Sequence, residues 1–125
     1  MCGKNTVICI LEEAYSACAS IFKEYIKEAY LYGSYARGDY SKESDVDILV
    51  TVALDRTELS KYRNALASVS SDLSLKHNVT VSLTVKPYDE FMLYSSTLPF
   101  YTNVIKEGIR YAPTVKNFYV VQRKR

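Results

Sequence analysis

The chain has 125 residues, 48% hydrophobic and 24% charged, an ordinary length and balance for one folded domain with a buried core. Its net charge of +2 rests on Arg123, Lys124 and Arg125, without which the balance is −1, so no broad basic surface speaks for a nucleic-acid binder. No run approaches the roughly 18 apolar residues of a membrane span, Glu12 and Glu13 interrupt the only N-terminal apolar stretch, and Cys2, Cys9 and Cys18 are too few and too bunched for a disulfide framework, so a soluble, cytoplasmic protein is expected.

Ile8, Leu11, Tyr15, Cys18, Phe22 and Ile26 recur at helical intervals and predict an amphipathic helix ending near Lys27, with Cys18 in its buried stripe. Residues 28–32 then read as a strand that delivers the chain to Gly33, where the missing Cβ permits a sharp turn and the close approach of a bulky anion. Ser34 is placed to cap a short helix whose first N–H groups and dipole attract phosphate. Arg37 lies three residues on, hence on the same helix face, and its planar fork suits a pair of phosphate oxygens. Gly38 allows a tight exit into the loop DYSKES, whose last residue, Ser44, joins the substrate-binding candidates. Asp45 and Asp47 stand two apart on the next strand and leave it from one face. Two carboxylates aimed together ask for a cation, and oxygen ligands of this kind suit Mg²⁺ completed by substrate phosphates and water.

Asp55 is expected to cap a second long helix, with Glu58 reaching back and Leu59, Tyr62, Leu66, Val69 and Leu73 as its inner stripe. His77 is placed to cap its C-terminal end. Residues 79–85 read as a strand with Val79, Val81, Leu83 and Val85 on one face and Thr80, Ser82 and Thr84 on the other, ended by Pro87. Phe91 and Tyr94 predict a short helix with both on one face, and Pro99 starts another that turns Val104 and Ile105 inward and stops at Gly108. Residues 109–111 are expected to add an edge strand. The domain is thus drawn over residues 1–112, with 113–125 as a tail that docks its apolar residues and keeps its basic end in water. Four tyrosines, Tyr30, Tyr32, Tyr35 and Tyr40, cluster around the motif, and Tyr35 or Tyr40 is a candidate to stack on a base, although packing is the commoner role for such rings.

Taken together, GSYARGDYSKESDVDILV resembles the signature of the nucleotidyltransferase superfamily related to DNA polymerase beta in its minimal form, the MNT domain. The match is specific over residues 32–50 and continues more weakly to about Tyr111. The resemblance implies an α+β fold of the polymerase beta palm type, a small mixed β-sheet packed against helices. It implies that Gly33 and Ser34, with Arg37 and Ser44, hold the triphosphate of an NTP, ATP in first place. Asp45 and Asp47 would be catalytic and hold Mg²⁺, one ion rather than two. In that group the small domain often acts as the antitoxin beside a helical HEPN toxin and adenylylates a Tyr on it, so a toxin partner of this type is implied.

The family draws a third carboxylate from the following strand, and here Thr80 or Ser82 stands in its place. Asp72, Asp89 and Glu90 are the acidic residues that folding would have to bring there instead. Two functions therefore follow from the sequence. One is a Mg²⁺-dependent transfer of a nucleoside monophosphate to a hydroxyl. The other is a non-catalytic nucleotide- and metal-binding antitoxin or interaction module. The oligomeric state is left open.

Overall fold

The computed structural model, which describes residues 4–111, places the N-terminal apolar stripe on helix α1, Lys4–Phe22. The helix stops before the expected Lys27. Lys23 takes a left-handed φ of 56°, a 3-10 turn Lys23–Tyr25 follows, and Ile26 is already the first residue of strand β1, Ile26–Tyr32. Ile26 satisfies the helical spacing and still reaches the core, but from an extended backbone that suits its β-branch. Of the cysteines, Cys9 is exposed and Cys18 is buried, and burial pushes the Cys18 thiol up to about 12, which leaves it inert.

From β1 the chain passes through Gly33 into the one-turn helix α2, Ser34–Arg37, and returns as β2, Val46–Val52, antiparallel to β1 from Tyr32↔Asp47 to Ile26↔Val52. A bulge interrupts this ladder between Ile26 and Glu28. The buried Thr51 side chain fills it, its Oγ1 accepting from Glu28 N at 3.1 Å and donating to Glu28 O at 3.4 Å.

The single helix expected from Asp55 is two, α3 (Arg56–Ser60) and α4 (Arg63–His77), with the break at Lys61 and Tyr62. Asp55 does cap the first, its Oδ1 accepting from Glu58 N at 2.8 Å. Tyr62 at the break packs its ring on Phe22 at 4.8 Å, so the stripe stays apolar across the interruption and its periodicity hides the kink. His77 does not cap α4. Asn78 does so in a left-handed conformation, while His77 Nε2 meets Glu13 Oε1 at 2.9 Å and ties α4 to α1.

Strand β3, Val81–Pro87, begins two residues later than expected and runs parallel to β2 with Asp47 opposite Ser82. Helices α5 (Tyr88–Tyr94) and α6 (Pro99–Glu107) follow, and β4 (Ile109–Tyr111) pairs antiparallel with β1 at the sheet edge. The resulting order β3-β2-β1-β4 is the small mixed sheet of an α+β fold. Gly108 ends α6 in an extended conformation, and a Cβ there would collide with Val104 O, so the position requires a glycine.

Alternation along the strands sorts the molecule into layers. Ala29, Leu31, Ile48, Val50, Val81 and Ile109 face α1 and α4 in the larger apolar cluster. Tyr30 and Leu49 face the other way, against Phe91, Tyr101 and Val104 of α5 and α6. Phe91 and Tyr94, expected on one face, part in burial: Phe91 is buried, whereas Tyr94 is exposed, since a three-residue step turns it off the narrow contact α5 makes. Asp47 lies in line with Leu49 on this second face, just past the end of the apolar cover. The tail expected over 113–125 lies outside the described residues. Among those described, no helix is long and apolar enough to cross a membrane.

Candidate functional site

The site grows from the junction of β1, α2 and β2. Gly33 has φ 81° and ψ −158°, and its carbonyl accepts from Ala36 N and Arg37 N, each at 3.0 Å, which closes the single turn of α2. Gly33 rather than Ser34 is therefore the residue before the helix, and Ser34 is its first residue with no side-chain cap bond. Behind the turn stands Asp47, and a Cβ on Gly33 would collide with Asp47 Oδ2. The glycine is needed twice, for its positive φ and for the room the carboxylate takes.

Gly33, Ser34, Arg37 and Asp47 line one side of a cavity of about 420 Å³, and α6 closes the other side. Asp45, expected on the strand, instead immediately precedes β2, is exposed and is not among the residues that line the cavity, but it is near enough for its charge to act on Asp47. Burial first, and then the negative charge of Asp45, push the Asp47 carboxyl above the ordinary Asp value, with Arg37 offsetting part of the shift. Arg37 is half-exposed, its Nε donating to Asp39 Oδ2 and its Nη1 to Glu107 Oε1, both at 3.2 Å. Ser44 is not part of the cavity. Its Oγ accepts from Ser41 N at 2.9 Å and closes the 41–44 turn, so this candidate supports the loop instead.

The parallel register separates the two residues expected opposite the Asp pair. Ser82 pairs with Asp47, while Thr80 precedes β3, is exposed, and gives its carbonyl to Val46 N at 2.8 Å. Thr84, next on the same face, shares a side-chain hydrogen bond with Tyr32. None of the acidic residues considered as substitutes arrives. Asp72 lines a groove between α1 and α4, and Asp89 and Glu90 lie at the far end of β2 and β3. Among the described residues, no three His, Cys, Asp or Glu side chains group as metal ligands.

That far end holds the larger cavity, about 540 Å³, where Arg56 Nε and Nη2 each donate to Glu90 at 2.7 Å and Asp55 caps α3. Tyr35 and Tyr40, candidates for a base, stack instead on one another at 4.4 Å, with Tyr35 buried in the main core. Sequence reading missed Phe100, Asn103 and Glu107 of α6, which line the cavity opposite the motif. Their spacing of three and four residues places them on one helix face, and that was their only signal.

A mixed sheet that brings a Gly, Ser turn, an Arg and an Asp pair to one edge has the nucleotidyltransferase fold. The chain belongs to the nucleotidyltransferase domain family, which it matches over residues 11–111. A protein of Methanocaldococcus jannaschii named putative protein adenylyltransferase is 33% identical over 98 residues, covering 78% of this chain and 90% of that protein. Among solved structures, a putative nucleotidyltransferase from Sulfolobus solfataricus superposes with a TM-score of 0.62 at 19% identity, over 95% of this chain and 90% of that one. A chain of a toxin–antitoxin complex with AMP-PNP gives 0.52 at 19% identity, over 87% and 72%. At such identities these structures speak for the fold alone.

Proposed function

We propose that this chain is a metal-dependent nucleotidyltransferase that moves a nucleoside monophosphate from an NTP, ATP in first place, to a hydroxyl on a protein. The observation that carries this reading is Asp47, a half-buried carboxylate set against the Gly33 turn in the cavity that also holds Ser34 and Arg37. The donor set fits a divalent cation, since Asp45 and Asp47 repel one another and Arg37 supplies only part of the charge they need. Asp45 and Asp47 are the residues that would hold Mg²⁺, which when bound would supply charge neutralisation for the triphosphate and ease ionisation of the acceptor hydroxyl.

The chain's own residues position the substrate. Gly33 lets the phosphates approach the backbone, Ser34 offers its hydroxyl, and Arg37 trades a carboxylate partner for a phosphate oxygen. The acceptor hydroxyl attacks the α-phosphorus in line and pyrophosphate leaves. With Ser82 where a carboxylate base would stand, turnover is slow, because a positioned base contributes typically about 10² to 10⁴ in rate. The acceptor we assign is a Tyr of a HEPN-type toxin, with this chain as the antitoxin. Support comes from the protein adenylyltransferase name of the archaeal relative and from the toxin–antitoxin complex among the structural neighbours.

Ser82 also favours a second reading, an antitoxin that binds nucleotide and partner without chemistry. One experiment separates the two. Purified protein is incubated with Mg²⁺, ATP labelled at the α-phosphate and the co-expressed neighbouring protein, beside the Asp45→Asn, Asp47→Asn double variant. Label on the partner that falls at least about a hundredfold in the double variant is the expected result. A partner that stays bound in both cases and takes up no label would establish the non-catalytic reading.

A further inference from the structure

We infer that α6 carries the nucleobase subsite of this cavity, with Phe100 as the stacking platform and Asn103 as the reader of an adenine edge. The inference rests on the triphosphate reading above. The two walls of the cavity differ in kind: Gly33, Ser34 and Arg37 offer backbone room, a hydroxyl and a cation, whereas α6 offers an aromatic ring and an amide, beside a carboxylate, Glu107, that is engaged by Arg37. The first set suits phosphates and the second suits a base. Phe100 meets Tyr32 at 5.4 Å with the rings nearly perpendicular and remains 42% exposed, so part of its ring is open on the cavity side that it lines. Tyr35 and Tyr40 are spent on each other, so they leave the stacking role to α6.

Asn103 lines the same cavity, and its amide makes no side-chain hydrogen bond among the described residues. An amide presents one donor and one acceptor side by side, which matches the N6 donor and N7 acceptor of adenine and mismatches the two acceptors of guanine. Glu107 on the same helix face is tied to Arg37, which fixes the C-terminal end of α6 against the phosphate wall. Phe100 then lies seven residues, or roughly 10 Å, back along the axis, a separation on the scale of a nucleotide. The cavity of about 420 Å³ falls within the size range of small-molecule sites.

Equilibrium binding of ATP, GTP and inorganic tripolyphosphate, each with Mg²⁺, tests this on wild type, Phe100→Ala, Phe100→Tyr and Asn103→Ala. Phe100→Ala is expected to weaken ATP at least about fivefold while leaving tripolyphosphate unchanged, and Phe100→Tyr is expected to keep ATP affinity. Asn103→Ala is expected to erase about a tenfold preference for ATP over GTP. Equal losses for ATP and tripolyphosphate in Phe100→Ala would make the ring a structural support and overturn the subsite, as would a preference for ATP over GTP that Asn103→Ala leaves intact. Wild type that binds tripolyphosphate as tightly as ATP would overturn the subsite alone. Wild type that binds neither would bring down the triphosphate reading and the subsite together.

Discussion

At the scale of single residues, the site depends on the fit between Gly33 and Asp47. Gly33→Ala sets a Cβ against Asp47 Oδ2 at a φ of 81°, so the variant must rotate the turn or displace the carboxylate. The expected cost is roughly 1–3 kcal/mol of stability, together with a loss of nucleotide binding larger than that destabilisation explains. Urea unfolding of Gly33→Ala, Asp47→Ala and the double variant measures this. If the collision is the cause, the glycine substitution costs distinctly less once Asp47 is shortened, and strictly additive effects would rule it out. Gly33, Ser34, Arg37 and Asp47 were legible because one strand, turn, strand unit carries them and their spacing alone brings them together. Phe100, Asn103 and Glu107 were not, because they join the cavity only through tertiary packing of α6. Ser44 misled for the opposite reason: adjacency to Asp45 in sequence said nothing of the turn its hydroxyl closes.

At the scale of elements, the α5 and α6 layer holds one wall of the cavity in place through few large contacts. Phe91 is fully buried and packs against Tyr30 at 5.4 Å and Tyr101 at 5.1 Å, joining α5 to β1 and α6. Phe91→Ala is expected to destabilise by about 3–5 kcal/mol, whereas Leu93→Ala, two residues on and 68% exposed, should stay within about 0.5 kcal/mol. Chemical denaturation of both variants decides it, and similar costs would mean that α5 does not pack as described. The strands and most helices could be read from periodicity, since alternation and the 3.6-residue repeat each record which face is buried. Their ends could not. The left-handed Lys23 and the break at Lys61 and Tyr62 leave the apolar pattern uninterrupted, so the pattern runs past the end of α1 and across the gap between α3 and α4.

At the scale of the whole molecule, ion pairs among the described residues join elements far apart in sequence, as Arg37 of α2 joins Glu107 of α6. Glu13 joins α1 to Lys76 and His77 of α4, Glu90 joins α5 to Arg56 at the start of α3, and Glu28 joins β1 to Arg110 of β4. The hydrogen bond from His77 holds the Glu13 carboxyl below the usual Glu value, and the Arg56 guanidinium does the same for Glu90, in each case against a smaller opposing effect of burial. A carboxyl lowered in the folded state stabilises fully above its unfolded value of 4.5, and that contribution disappears as pH falls through the lower folded value. Melting temperature should therefore vary little from these groups above pH 4.5 and fall below it. Glu90→Gln replaces a charged partner by a neutral one of the same shape. It is expected to lower the melting temperature at neutral pH by about 1–4 °C, a size set by the small worth of exposed ion pairs. Its gap to wild type should close as acid protonates Glu90 in the parent. A gap that persists unchanged into strong acid would show that Glu90 acts through packing, leaving Glu13 to account for the acid sensitivity.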